Sequence, residues 1–219
     1  MRFFSIDNGF FRTLSRIYDL IILNLLFLVT SIPVVTIGAN LTALYAVTHK
    51  MINNEESYIW RSYWKNWKQN FRQATILWLV FLAAGIFLLF DRWLTDRMGA
   101  AFAPLGMIFT FFLFVWLMAL SYVFPVLACF DNSTKNIGKN ALLMPIRHLP
   151  WTVLILITDA VPVFLLMVLP GIAGALFMFL LILLGFSGTA LAGSFIFAKK
   201  IFPYYIPEEE EGAPEEGEA

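Results

Sequence analysis

Apolar runs recur along this chain at lengths that only a bilayer requires: Leu20–Val47, Ala74–Phe90, Pro104–Phe130, Leu149–Leu169 and Ile172–Ala198. A helix rises about 1.5 Å per residue, so about 20 apolar residues cross the ~30 Å of hydrocarbon. In lipid every backbone polar group needs an internal partner, so only helices and closed barrels cross. Barrel strands would alternate apolar and polar residues over ~10 positions, and no such pattern is present. The 219 residues are 60% hydrophobic and 14% charged, whereas a soluble domain is about half apolar and about a quarter charged. The expected fold is all-α: a polytopic transmembrane helical bundle, one domain over residues 1–206.

The first run is too long for one straight crossing and is interrupted by Ser31-Ile32-Pro33. Proline removes a helical hydrogen bond and clashes with the preceding turn. Either one long helix kinks there, or two short helices form a hairpin. Basic residues separate the two. Lys and Arg fall in groups of three (Arg2, Arg12, Arg16), five (Lys50 to Arg72), two (Arg92, Arg97), three (Lys135, Lys139, Arg147) and two (Lys199, Lys200). Six crossings put 13 of them on one side and 2 on the other, whereas five crossings give 10 and 5. Cytoplasmic loops carry the excess of Lys and Arg, so six membrane helices are favoured, the first two a Pro-broken hairpin, with five as the alternative. Both termini are then cytoplasmic.

The formal net charge of zero hides an asymmetry. Seven of the fifteen acids are Glu residues between Glu208 and Glu218, which leaves fifteen bases against eight acids, a net of +7. Such a body suits contact with an anionic inner leaflet. Residues 207–219 are expected to be a disordered acidic tail. Arg2, Arg12 and Arg16 before an apolar run could suggest a signal peptide. The run outlasts a typical h-region, so it is read as retained.

Trp60, Trp64, Trp67 and Phe71 recur at helical spacing, with Arg61, Lys65, Lys68 and Arg72 one position later. An aromatic stripe beside a cationic one predicts an interfacial amphipathic helix at about 55–73, lying in the headgroup layer on the cytoplasmic side. A compatible second reading is a connecting helix packed beneath its own bundle. Residues 131–148 form a second cytoplasmic connection, and the two segments together offer a contact surface to a partner.

Polar residues at bilayer depth are the other candidates. Asp159 lies mid-crossing beside Thr158. An ionisable group there costs ~3 kcal/mol on insertion scales and usually faces the bundle interior. It reads as a proton, cation or substrate contact, or as a hydrogen-bonded packing residue. Asn24, Thr36 and Asn40 flank Pro33 and could join it in lining a path, or bond helix to helix. Gly185, Thr189 and Gly193 stand four apart, a spacing that lets helices approach closely, within the bundle or at a homo-oligomer seam. His49 and His148 lie apart without further ligands at metal spacing, so no metal or other cofactor is expected. No nucleophile–base constellation or phosphate loop is recognisable, and the chain is not expected to be an enzyme or to bind nucleic acid.

Two stretches resemble a known family. One is Ile17-Tyr18-Asp19-Leu20, Asn24-Leu25-Leu26, Ser31-Ile32-Pro33-Val34-Val35-Thr36-Ile37-Gly38-Ala39 and Ala43-Leu44-Tyr45. The other is Tyr63-Trp64 with Lys68-Gln69-Asn70-Phe71-Arg72-Gln73-Ala74. Both are similar to the YesL family of bacterial membrane proteins, over roughly residues 4–80. The family is found mainly in Gram-positive bacteria, often encoded beside carbohydrate ABC importers, and has no established activity. The resemblance implies an accessory or regulatory protein associated with carbohydrate uptake, with an importer subunit as partner. The alternative from the residues themselves is a small transporter or channel using Asp159 and the polar residues near Pro33.

Overall fold

A computed structural model describes residues 9–55 and 58–205, all helix and connecting turns, with no strand among them. The expected acidic tail and the first residues of the basic lead-in lie outside the described residues. The helices are α1 (Gly9–Thr30), α2 (Ile37–Ile52), α3 (Ile59–Arg97), α4 (Ala103–Cys129), α5 (Thr134–Arg147), α6 (Leu149–Val168), α7 (Gly171–Leu180) and α8 (Phe186–Ile196). A π turn, Leu181–Gly185, joins α7 to α8. Among the described residues five stretches are long and apolar enough to cross a membrane: Thr13–Thr30, Ile59–Arg97, Ala103–Cys129, Leu149–Val168 and Gly171–Tyr204.

The Pro33 region is a hairpin. At its turn the Thr36 hydroxyl donates to the Thr30 carbonyl at 2.7 Å. At the open end Arg16 Nη2 donates to Asn54 Oδ1 at 2.6 Å, so α1 and α2 run antiparallel. The second arm differs from an ordinary crossing. With 16 residues α2 is about 24 Å long. Its residues 42–48 are all buried, because α3, α4 and α8 pack around it. A helix that is apolar on every side belongs in a core, and α2 is the central post of the bundle. Gly38 brings α2 close to α3: a Cβ there would lie 2.6 Å from the Ala74 carbonyl oxygen.

The expected interfacial helix is corrected. Ile59–Arg97 is one unbroken helix of 39 residues, so the aromatic–basic stretch is the first part of a crossing helix and does not lie flat as a separate element. Composition changes near Ala74, but no Pro or Gly stops the helix before Gly85. Gln73 Nε2 donates to the Asn132 carbonyl just past the end of α4. Ile59–Arg72 therefore extends beyond α4.

α3 and α4 form a long antiparallel hairpin, locked by Trp116 Nε1 donating to the Phe81 carbonyl at 2.8 Å and by Arg92 Nε on Thr110 Oγ1 at 3.0 Å. α6 and α7 form a second hairpin, turned at Pro170-Gly171 with Gly171 at φ +59°, a conformation glycine adopts without strain. Ser133 caps α5 by accepting from the Asn136 N–H. The densest packing lies toward the end that carries Lys50 and Lys199, hereafter the basic end. There the buried rings of Tyr122, Phe197 and Phe202 stack edge to face and tilted, with centroids 4.9 and 5.2 Å apart. The opposite halves of the two hairpins expose apolar side chains such as Phe87, Phe111, Phe164 and Met167, as surfaces facing lipid do.

Candidate functional site

The two hairpins are tied together near the basic end, and a cavity lies between them further along. Tyr122 Oη of α4 lies 2.7 Å from Thr152 Oγ1 of α6, and that hydroxyl also reaches the Pro145 carbonyl at 2.9 Å. Beyond this chain of bonds α4 and α6 diverge and leave a cavity of about 580 Å³, walled by α2, α4, α6 and α8. Its surface is hydrocarbon apart from four residues: Tyr45, Ser121, Asp159 and Thr189. Gly193 of α8 packs against Tyr45, and a Cβ there would meet the ring at 3.5 Å, an ordinary contact distance.

Asp159 is the eleventh of the 20 residues of α6, about 15 Å from either end. Ser121 Oγ stands 3.4 Å from Asp159 Oδ2, a long contact for an O–H donor. No Lys, Arg or His lines the cavity. The Thr189 hydroxyl is occupied by the Gly185 and Phe186 carbonyls. Tyr45 Oη forms no hydrogen bond among the described residues. The chamber thus holds one carboxylate and one phenol hydroxyl, neither fully partnered.

The other polar candidates lie elsewhere. Thr158 donates back to the Leu154 carbonyl of its own helix. Asn24 is fully buried against the π turn. Asn40 donates to Ser31 Oγ at 2.9 Å and accepts from Trp67 Nε1 at 2.7 Å, while Thr36 closes the hairpin turn. None of them lines this cavity. Tyr45 and Ser121 complete the site, and sequence reasoning did not single them out as cavity residues. Their signal was depth: Ser121 interrupts an apolar helix about 12 Å from its basic end, close to the level of Asp159.

The surface stripe also divides. Trp64, Trp67 and Phe71 pack on the core, in ring contacts of 5.4 and 4.7 Å. They are partly buried, with Trp67 bonded to Asn40 of α2. Trp60 stays 61% exposed. Arg61, Lys65, Lys68 and Arg72 are all exposed, and among the described residues none has an acidic partner. Of the small residues, Gly193 serves packing within the bundle and Thr189 faces the cavity, while Gly185 lies in the π turn. Among the described residues no group of three His, Cys, Asp or Glu side chains is placed to hold a metal ion.

Residues 20–92 match a family described as "Protein of unknown function, DUF624". Over 131 residues the chain is 29% identical to the uncharacterized protein YteU of Bacillus subtilis (strain 168), a match covering 59% of either chain. The chain therefore spans about three fifths of the length of the curated relative it matches. No solved structure matches. The family match takes in the second half of α1, all of α2 and α3 as far as Arg92, including Tyr45 and the cationic edge. Ser121 and Asp159 fall outside it.

Proposed function

We propose that this is a non-catalytic accessory protein of the bacterial plasma membrane, with its basic end in the cytoplasm, that docks onto a component of a carbohydrate import system. The observation that carries the reading is the cationic edge of α3. Four exposed side chains, Arg61, Lys65, Lys68 and Arg72, sit on a helix that extends beyond α4 and is pinned from behind by its own aromatic face. Exposed cations without acidic partners are available to an acidic protein surface or to anionic lipid headgroups. Pinning keeps the entropy lost on docking low. The positive-inside rule supports the orientation. The resemblance to a family often encoded beside carbohydrate importers supports the choice of partner, and that support is associational.

The test places a photocrosslinking residue at Lys65 or Lys68 in the full-length protein in cells. Capture of an importer subunit, lost when Arg61, Lys65, Lys68 and Arg72 are changed to Gln, is the expected result. Capture of lipid alone, together with unchanged sugar uptake in a deletion strain, would remove the docking role. Labelling of Lys65→Cys by an impermeant thiol reagent from outside intact cells would invert the orientation.

A further inference from the structure

We propose that the cavity between α4 and α6 is a binding site for a lipophilic amine, its ammonium group held by Asp159 and Tyr45 and its apolar body lying among the side chains of the two hairpins. This inference does not depend on the docking role. Asp159 sits at mid-crossing with a single long contact from Ser121 Oγ at 3.4 Å and no cation among the residues around it. Tyr45 lines the same chamber, and its hydroxyl makes no hydrogen bond among the described residues. An acid at this depth costs ~3 kcal/mol on insertion scales unless something offsets it.

The ligand class follows from what each occupant would do there. A lipid acyl chain fills space but donates nothing to the carboxylate. A fatty acid brings a second acid against the first. An alcohol donates one neutral hydrogen bond. An ammonium group has up to three donors and no acceptor, enough for Asp159 and the Tyr45 oxygen, and its bond to a carboxylate is charge-assisted. The rest of the wall is apolar, with Leu117, Leu120, Val163, Phe164 and Met167 among it, and asks for hydrocarbon. A volume of about 580 Å³ lies within the range of small-molecule pockets, roughly 300–1,000 Å³. The cavity opens toward the lipid-facing surface, where its lining residues Leu117, Val163, Phe164 and Met167 are exposed.

The test measures binding of dodecylamine, dodecanol and dodecanoate, which have equal chain lengths, to the full-length protein in lipid nanodiscs. Saturable dodecylamine binding about tenfold tighter than dodecanol, with dodecanoate weakest, is expected, since a charge-assisted bond is roughly twice as strong as a neutral one. Asp159→Asn should erase the amine preference, and Tyr45→Phe should reduce it. Ala160→Trp, which fills the chamber while keeping Asp159, should reduce binding of all three. Equal binding of amine and alcohol to the wild type would overturn the proposal, as would a preference that survives Asp159→Asn. The comparison on the wild type decides even where a variant fails to fold.

Discussion

Asn24 Oδ1 accepts the backbone N–H of Ser187 at 2.9 Å across 163 residues of sequence. The same amide donates to the Ile182 carbonyl at 2.7 Å, so one side chain of α1 bridges two backbone groups five residues apart. That interval spans the π turn Leu181–Gly185, where the regular ladder is interrupted. Asn24 is fully buried, and no water can replace it. Asn24→Leu keeps the volume and strands both groups. The expected loss is about 1–3 kcal/mol, read as a lower thermal midpoint in detergent and faster hydrogen exchange around residues 182–187. An unchanged midpoint would mean that the bridge is incidental.

Two glycines offer the same substitution with opposite expected signs. A methyl at Gly38 meets the Ala74 backbone oxygen at 2.6 Å, and backbone cannot rotate away. At Gly188 of α8 a methyl meets nothing within 4 Å. Gly38→Ala should therefore destabilise by about 1–3 kcal/mol, as overpacking does. Gly188→Ala should be neutral or stabilising by up to about 1 kcal/mol through helix propensity. Unfolding midpoints of the two variants, measured side by side, check both signs.

These two contacts also mark where sequence reading stops. Local signals placed the elements: Pro104 at the start of α4, Ser133 as the cap of α5, Pro170-Gly171 as a turn, and Ser31-Ile32-Pro33 as a break. The depth of Asp159 was legible because charge in an apolar run is conspicuous. The partners of polar residues were not. Asn24 and Asn40 look alike in sequence, yet one mends a π turn 158 residues away and the other holds Trp67. A change of composition at Ala74 resembled a boundary, but a helix ends where its backbone is broken or capped, and nothing there breaks it. The central place of α2 depends on how three later helices wrap it, and its own residues record only that it is apolar.

A histidine at the basic end gives a pH prediction. His148 is buried between α5 and α6, with Nε2 3.2 Å from Tyr205 Oη. Burial first, and the neighbouring Arg147 second, hold its imidazole below the ordinary value of 6.5. Arg147 also lies over the Tyr205 ring at 5.6 Å. The folded state favours the neutral ring, so this contribution to stability is complete above about pH 6.5 and is lost as pH falls through the lower folded value. Protection against hydrogen exchange at Phe202, Tyr204 and Tyr205, corrected for the intrinsic pH dependence of amide exchange, should fall as pH drops from about 7.5 to about 5.5 in the wild type. His148→Phe should flatten that dependence. A wild-type profile as flat as the variant's would show that His148 does not govern the closing segment.

The aromatic face of α3 yields a contrast within a single helix. Trp67 donates its Nε1–H to Asn40 Oδ1 at 2.7 Å and packs on the core, whereas Trp60, two turns earlier, is 61% exposed. If the stripe served mainly as a membrane-surface anchor, both tryptophans would matter alike for membrane association and neither for unfolding. If it is chiefly the inner wall that pins the cationic edge, they must differ. Trp67→Phe strips Asn40 of its donor and should cost about 1–2 kcal/mol, in line with an acceptor left without its partner. Trp60→Phe should stay within about 0.5 kcal/mol, as surface changes do. The comparison needs only detergent-solubilised protein and two melting curves. Equal midpoints would return the stripe to the headgroup layer and leave the cationic edge without its support.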